Sequence, residues 1–404
     1  MDYTSYFQQV QQAVRESHDP SFYRTTPEEA KVLAKKKNTA ETGAAEYPAS
    51  LPKAFLPIAV PAPFCDKARL HGQVRWMLLG QAAGDAVGLA TEFMNKEMAH
   101  AFYTSRITYD HFLADRHRSR WMDADFRCGD WTDDTDQTLL ILDSLVANNG
   151  KVNVRDFALR CRYWLHNGFT ELGDLSGLGI GNNFATVVTA KKFLKDPQGE
   201  ARRVWTEGGR MSAANGAVMR TSVAAVPFFW DEARVVKNAL AFCTCTHADP
   251  RCQASVAIVV RLLTMLLRGR RDVEAMVGEA IAASKPLLDG DCETELRFFV
   301  DVRSLDTLRL DEMIGYTFKP VGCAIWALRE AARRPDAAPA ALFEELVTAV
   351  TMEAGDADTN CAVVGAVLGC YFGADCVPAD WLALRHRDWL EDRIQRLCLL
   401  CGLI

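Results

Sequence analysis

The chain has 404 residues, of which 49% are hydrophobic and 24% charged, and its formal net charge is −6. This is globular composition, long enough for a sizeable core, and the charge offers no global basic surface to nucleic acid or anionic membranes. Thirteen cysteines scattered through apolar segments, and an N-terminus without a signal sequence, favour reduced thiols in a cytoplasmic protein. No uninterrupted apolar run approaches the roughly 20 residues that span a bilayer.

The first 69 residues differ from the rest of the chain. They are polar and contain the Lys-rich stretch "AKKKNTAETGAAE", followed by "YPASLPKAFLPIAVPAP" with its five prolines. This composition predicts a short helical start, a flexible stretch and an extended strap leading into the main body. Apolar side chains at Phe55, Leu56, Ile58 and Val60 indicate that the strap lies on a surface.

Helical patterns fill residues 70–404 and predict one all-α domain. Segments such as "NVRDFALRCRYWLHN", "AVMRTSVAAVPFF" and "QASVAIVVRLLTMLLR" have helical apolar spacing or composition, and no series of alternating strands or fixed-period repeat interrupts them. In "VRWMLLGQAAGDAVGLATEF", Gly80, Gly84 and Gly88 lie four residues apart. This stripe of small residues predicts the close approach of another backbone.

Acidic and hydroxyl side chains crowd two predicted helix starts. "WTDDTDQTLLILDSLV" carries Asp133, Asp134 and Asp136 ahead of an aliphatic run, and "GDADTNCAVVGAVLGCYFG" carries Asp356 and Asp358. Helix capping explains one or two such acids. Four converging carboxylates instead imply protonation or hard cations, whose preferred ligands are carboxylate and hydroxyl oxygens. The two sets together favour a metal site over capping alone.

Two further acids lie beside the glycine stripe. Asp85 and Glu92 are seven residues apart and therefore share a helix face, and Glu92 falls where the helix should end. Asp85 is interpreted as a buried polar contact or a functional acid. Glu92 is an ordinary exposed acid or part of a loop at the site.

The segment "MSAANGAVMRTSVAAVPF" contains an Asn215–Gly216 turn ahead of a predicted helix. Small residues before a helix N-terminus can bind an anion through backbone amides, although the dipeptide is also a common turn. Arg220 is a partner for buried carboxylates or phosphate, or an ordinary surface arginine. His247, among apolar neighbours, is a structural or a catalytic histidine.

In chain order, "GDAVGLATEF", "WTDDTDQTL", "NGAVMR", "THADP" and "GDADTNCAVVGAVLGCYFG" resemble the motifs of the ADP-ribosylglycohydrolase (dinitrogenase-reductase-activating glycohydrolase-like) family over residues 70–374. The resemblance implies an all-α fold, a centre of two Mg²⁺ or Mn²⁺ ions, and hydrolysis that removes ADP-ribose from a modified protein side chain. The metal ligands that it implies are Thr132, Asp133, Asp134, Asp356, Asp358 and Thr359. The catalytic acids that it implies are Glu92, Asp134 and Asp358. The residues expected to hold ADP-ribose are Ser212, Asn215, Gly216 and His247.

One departure from the family pattern concerns the substrate. Arginine-directed relatives carry an Asp in a phrase like "FDIG", whereas "LSGLGIGNN" places Gly179 there, and Asp174 is nearby but out of register. The acceptor side chain therefore stays open. The expected reaction is hydrolysis at the anomeric carbon of the distal ribose, with Asp358 or Glu92 orienting or deprotonating the water.

Two alternatives to a plain hydrolase follow from the same sequence. One is a catalytically silent relative that kept the fold, which the intact ligand set argues against. The other is an immunity protein whose residues 1–69 bind an ADP-ribosyltransferase toxin through aromatic anchors in the stretch 3–23. A strap that only packs on its own core is the simpler interpretation of this segment.

Overall fold

The computed structural model describes residues 46–104, 106–109 and 129–404. These residues form α-helices, short 3₁₀ turns and two isolated bridges, and no strand occurs among them. The all-α prediction is confirmed. The α-helices, in chain order, are α1 (Lys67–Gly88), α2 (Lys96–Phe102), α3 (Asp133–Ala147), α4 (Val154–Asn167), α5 (Asn182–Thr189), α6 (Pro197–Glu207), α7 (Glu232–Cys243), α8 (Pro250–Leu267), α9 (Val273–Ser284), α10 (Gly290–Val300), α11 (Phe318–Arg333), α12 (Pro339–Thr351), α13 (Ala357–Phe372) and α14 (Arg387–Leu400).

Helices α1 and α13 form an antiparallel pair at the centre of the core, and both are buried along almost their whole length. A Cβ atom at Gly84 would lie 2.7 Å from the carbonyl carbon of Cys361, and one at Gly365 would lie 2.7 Å from that of Gly80. At Gly88 it would meet the Cα atom of Asp358 at 2.6 Å. The glycine stripe therefore lets two backbones touch, as its spacing predicts.

The antiparallel arrangement decides where the acids lie. The C-terminal end of α1 and the N-terminal end of α13 fall at the same end of the pair, and α3 begins there too, because its first turn is bonded to α1. Helices α8, α11 and α12 pack against α13 from other sides. Three helix termini thus meet at one end of the core.

Residues 46–65 run along the surface of the helical body. The Tyr47 hydroxyl and the Ser50 hydroxyl donate to Asp143 Oδ2 at 3.0 and 3.2 Å, and the Ile58 amide donates to the Leu400 carbonyl at 2.6 Å. This part of the predicted strap lies on the core. The stretch 3–23, predicted as a partner-binding arm, lies outside the described residues.

The predicted helix after Asn215 does not form. The chain makes two 3₁₀ turns, Asn215–Ala217 and Ser222–Ala225, and then reaches Phe228 with a φ of 65°. Pro227 has no N–H, so no helical hydrogen-bond ladder can continue through it. The predicted α-helix is therefore wrong, and the anion site expected at its N-terminus has no α-helix behind it.

Among the described helices, α8 is long and apolar enough to cross a membrane, with 18 residues and a mean hydropathy of 1.4. However, 78% of it is buried inside the fold, where it packs against α7, α9 and α13. These contacts are those of a core helix.

Candidate functional site

Asp85 fastens the start of α3 to α1. Its carboxylate accepts the amide and hydroxyl of Thr132 at 3.0 and 2.9 Å, and the amide and hydroxyl of Thr135 at 3.0 and 2.6 Å. Burial raises the pKa of Asp85 to about 6, against the opposing effect of these hydrogen bonds. Asp85 therefore caps α3 from a neighbouring helix, which fits the interpretation as a buried polar contact.

The acids of the α3 first turn do not cap their own helix. Thr132 is the N-cap residue, and its hydroxyl accepts the Asp134 amide at 3.4 Å. Asp136 turns away from the site and accepts the indole N–H groups of Trp131 and Trp164 at 2.8 and 2.9 Å. Capping therefore leaves Asp133 and Asp134 without a local explanation.

Asp134 and Asp358 face each other across the junction of α3 and α13. The Thr132 hydroxyl lies 3.3 Å from Asp134 Oδ2 and 3.4 Å from Asp358 Oδ2, and the Thr359 hydroxyl lies 3.3 Å from Asp134 Oδ2. The other carboxylate oxygen of each, Oδ1, is buried and has no hydrogen-bond partner among the described residues. The two helices thus present a pair of unsatisfied carboxylate oxygens.

A second acidic group adjoins this pair. Ligand oxygens of Glu92, Asp356 and Asp358 lie within 4.8 Å of one another. Glu92 follows the end of α1 and forms an isolated parallel bridge with Gly355, so its backbone is tied to the segment that leads into α13. The Asn215 side chain donates to Asp356 Oδ2 at 2.9 Å. Glu92 and Asp356 thereby stand beside Asp358.

This donor set fits divalent cations. Burial, reinforced by repulsion from neighbouring carboxylates, raises the pKa of Asp133, Asp134 and Asp358 well above its usual value. Buried carboxylates with unpaired oxygens must be protonated or must bind cations. Carboxylate and threonine oxygens are the hard donors that Mg²⁺ and Mn²⁺ prefer. The six predicted metal ligands lie together at this one junction.

The loop predicted to hold ADP-ribose borders the acids. The Asn215 amide donates to the Gly315 carbonyl at 2.9 Å, and a bridge between Ala214 and Tyr316 pairs the two segments. The Ser212 hydroxyl donates to the Asn183 side chain at 3.1 Å. Asn215 was predicted to bind the ligand, but its side-chain amide donates to Asp356 in this structure. The residue therefore joins the loop to the acidic cluster.

His247 lies under the same loop and is buried. Its Nε2 atom would be 3.0 Å from a Cβ atom at Gly216, so only glycine fits there without displacing the ring. Its Nδ1 atom lies 2.8 Å from the Thr246 hydroxyl. Burial lowers the pKa of His247 well below its usual value, and the nearby Arg220 charge lowers it further. The imidazole is therefore neutral.

Arg220 is wholly buried, so the surface-arginine interpretation is wrong. Its guanidinium lies between the rings of Phe157 and Phe184, 5.4 and 5.5 Å from their centroids. It donates to Gln137 Oε1 and to the Thr246 hydroxyl, each at 2.6 Å. The arginine belongs to the interior that supports the site.

Gly179 lies against the site, and Asp174 does not. A Cβ atom at Gly179 would lie 2.8 Å from Asp133 Oδ1, and the backbone φ of 74° already disfavours other residues. Asp174 Oδ2 instead accepts the Phe169 amide at 2.9 Å. Asp174 therefore does not take the place of the Asp expected at Gly179.

Gln137 was not predicted as a site residue. Its Nε2 atom donates to Asp133 Oδ2 at 2.6 Å, four residues earlier on α3. The spacing of i and i+4 on one helix face was the available signal. The partner across the core, Arg220, had no local signal.

Comparisons with known proteins identify the family. The family model for ADP-ribosylglycohydrolase matches residues 66–403. The ADP-ribosyl-[dinitrogen reductase] glycohydrolase of Rhodospirillum rubrum is 25% identical over 343 residues, which cover 83% of this chain and 98% of that protein. The ADP-ribosylarginine hydrolase Tri1 of Pseudomonas putida is 23% identical over a match that covers 76% of this chain and 72% of that protein. A solved ADP-ribosylglycohydrolase-related protein complex matches with a TM-score of 0.56 and 24% identity, over 83% of this chain and 99% of its own.

The chain shares its fold with this solved structure. The chain belongs to the ADP-ribosylglycohydrolase family, as its sequence resemblance indicated. Members of this family act on ADP-ribosylated proteins.

Proposed function

We propose that the protein is a metal-dependent hydrolase that removes ADP-ribose from a modified protein side chain. The observation that carries the proposal is the pair of buried, unpartnered oxygens on Asp134 and Asp358, next to Glu92 and Asp356. A catalytically silent relative would have no need to keep unsatisfied carboxylates in its core, because each costs stability.

Two Mg²⁺ or Mn²⁺ ions would be held by the acids and threonines of the two helix starts. The start of α3 would supply Thr132, Asp133 and Asp134. The start of α13 would supply Asp356, Asp358 and Thr359. When bound, such ions hold ribose hydroxyls and lower the pKa of a coordinated water.

The remaining chemistry falls to the chain. Water adds to the anomeric carbon of the distal ribose while the bond from that carbon to the acceptor atom breaks. We assign Glu92 as the group that accepts the proton of the water, because Glu92 is partly exposed whereas Asp358 is 3% exposed. That proton then passes to the departing acceptor, so ADP-ribose and the unmodified side chain are released. The surrounding carboxylates favour the positive charge that develops on the sugar.

The other end of the substrate would lie near Asn215 and Gly216. Asn215 holds Asp356, and the loop packs on the neutral His247 ring. A change in this loop is therefore expected to affect ADP-ribose binding and the acidic cluster together.

The acceptor side chain is where this chain departs from relatives named for arginine. Gly179 offers no carboxylate for a guanidinium, and its position against Asp133 leaves no room for one without movement. We propose that the acceptor preference is decided at this position, and that Gly179→Asp changes the ratio of rates between linkages.

The test is hydrolysis of Arg-, Ser- and Asp/Glu-linked ADP-ribosylated proteins, each with Mg²⁺ and with EDTA. Release from at least one linkage, dependent on the metal, is expected. Asp134→Asn should abolish it, whereas the control Asp174→Asn should not, since the Asp174 carboxylate accepts the Phe169 amide in its own loop. No release from any linkage with Mg²⁺ or Mn²⁺ would favour the silent relative.

A further inference from the structure

A continuous chain of hydrogen bonds connects the acidic cluster with the ADP-ribose loop through the protein interior. It runs from Asp133 through Gln137 to Arg220, and from there through Thr246 to His247. All five side chains are buried. The chain passes behind the site, and none of the reaction steps above uses its central member.

The arginine sets the direction of the first branch. A guanidinium can only donate, so Gln137 must turn its Oε1 atom toward Arg220. The Nε2 atom is then directed at Asp133 Oδ2, which it meets at 2.6 Å. Because an amide has one donor end and one acceptor end, the arginine determines that Gln137 donates to Asp133.

The same argument sets the second branch. Arg220 donates to the Thr246 oxygen at 2.6 Å and occupies one of its two lone pairs, and the hydroxyl proton of Thr246 is then available to the Nδ1 atom of His247, 2.8 Å away. A neutral imidazole that accepts at Nδ1 carries its proton on Nε2. That N–H lies next to Gly216 in the ADP-ribose loop. The arginine therefore favours the Nε2–H tautomer of the histidine.

The surroundings of Arg220 leave it little freedom to do otherwise. Phe157 and Phe184 cover the guanidinium, and its third contact is the Phe242 carbonyl at 3.4 Å. Among the described residues, no carboxylate oxygen lies within 4 Å of the Arg220 guanidinium nitrogens. A buried cation without a counter-ion beside it is costly and needs a compensating role.

We propose that Arg220 is a positioning residue that couples the two halves of the site: it orients Asp133 through Gln137 and His247 through Thr246. The role of the two ends rests on the proposed function. The two branches make it separable from a general contribution to packing, because each can be cut without touching the other.

The experiment uses the full chain and four variants: Gln137→Met cuts the first branch, Thr246→Val cuts the second, and Arg220→Lys and Arg220→Met change the centre. Three properties are measured: Mn²⁺ affinity by electron paramagnetic resonance, ADP-ribose affinity by calorimetry, and the His247 tautomer by nitrogen-15 NMR. His247→Gln identifies the signal of that ring.

Gln137→Met should weaken Mn²⁺ binding by about 10-fold, the usual scale for a group behind a metal ligand, and leave the His247 tautomer unchanged. Thr246→Val should abolish the Nε2–H tautomer preference and weaken ADP-ribose binding, with Mn²⁺ affinity retained. Arg220→Met should produce both effects, and Arg220→Lys should restore only part of each, because an ammonium lacks the planar fork that meets both partners.

A normal His247 tautomer and normal Mn²⁺ affinity in a folded Arg220→Met protein would overturn the proposal. If both Arg220 variants fail to fold, the branch variants decide: equal effects of Gln137→Met and Thr246→Val on all three properties would overturn it. The tautomer is independent of catalysis. A protein without hydrolase activity but with the expected tautomer changes would therefore refute the proposed function and leave the coupling intact.

Discussion

Gly84→Ala should damage the protein although it adds a single methyl group. The new Cβ atom would lie 2.7 Å from the carbonyl carbon of Cys361, whereas ordinary contact begins at 3.4 Å. The obstacle is helix backbone, which cannot rotate aside as a side chain can. The two central helices must therefore separate locally by roughly 1 Å.

Two opposing terms set the size of the effect. Overpacking in a close-packed core costs about 1–3 kcal/mol, and a rigid backbone contact belongs at the upper end of that range. Alanine is the better helix former by about 1 kcal/mol. The net expectation is a loss of about 2 kcal/mol in the free energy of unfolding, taken from these two terms.

Urea denaturation provides the measurement, and Gly278→Ala is the matched control. Gly278 lies in α9, is exposed, and a Cβ atom there would meet nothing within 4 Å. The control should gain about 0.5–1 kcal/mol from helix propensity alone. The two substitutions thus have opposite expected signs. If Gly84→Ala is as stable as its parent, the close contact between the central helices does not exist as described.

The remaining predictions concern the metal site, the loop and the strap. Asp358→Asn removes a buried charge, so the metal-free variant should melt above wild type, yet Mg²⁺ or Mn²⁺ should no longer raise its Tm; a normal metal response would exclude Asp358 as a ligand. Because burial raises the pKa of Asp358, its contribution to the stability of the metal-free protein is full at low pH and is lost as pH rises through the raised pKa. Metal binding should therefore release protons and tighten with pH, and calorimetry in two buffers of different ionisation heat that detects no release would contradict this. Asn215→Ala should weaken ADP-ribose binding by about 1–3 kcal/mol through loss of its bond to Asp356, and equal calorimetric affinity would remove Asn215 from the binding loop. Tyr47→Phe should lower the free energy of unfolding by about 1–2 kcal/mol by removing a bond to Asp143, with hydrolysis unchanged; equal urea midpoints would show that this strap contact adds no stability.

The helical class and the close helix pair could be predicted from the sequence because both depend on short-range spacing. Gly80, Gly84 and Gly88 lie on one helix face whatever surrounds them, so their stripe could be interpreted before any partner was known. The acids at two helix starts were equally visible. Their placement in one cluster was a hypothesis from two matching sets of acids, which the family resemblance strengthened, since no local rule brings Asp134 and Asp358 together over 224 positions, the difference of their numbers.

The directions of individual side chains could not be predicted. Asp136 looks equivalent to its neighbours in the sequence, but its carboxylate accepts hydrogen bonds from two indole N–H groups and turns away from the site. Arg220 depends on partners 83 and 26 positions away, at Gln137 and Thr246, and nothing in its own segment distinguishes it from an exposed arginine. The helix predicted after Asn215 is wrong because apolar spacing does not distinguish an α-helix from the two 3₁₀ turns that form there.

The mutual insertion of α1 and α13 also restricts how the protein can move. Each glycine of α1 and α13 lies against a backbone carbonyl across the pair, so a slide of one residue, about 1.5 Å along the axis, brings side chains onto backbone. Only a jump of four residues, about 6 Å, would restore the register, and that would pull the acids apart. The two central helices therefore cannot slide along each other. Among the described residues, the loops that carry Glu92, Gly179 and Gly315 are the segments outside this pair that border the acids, so an opening toward the proposed protein substrate is expected in them.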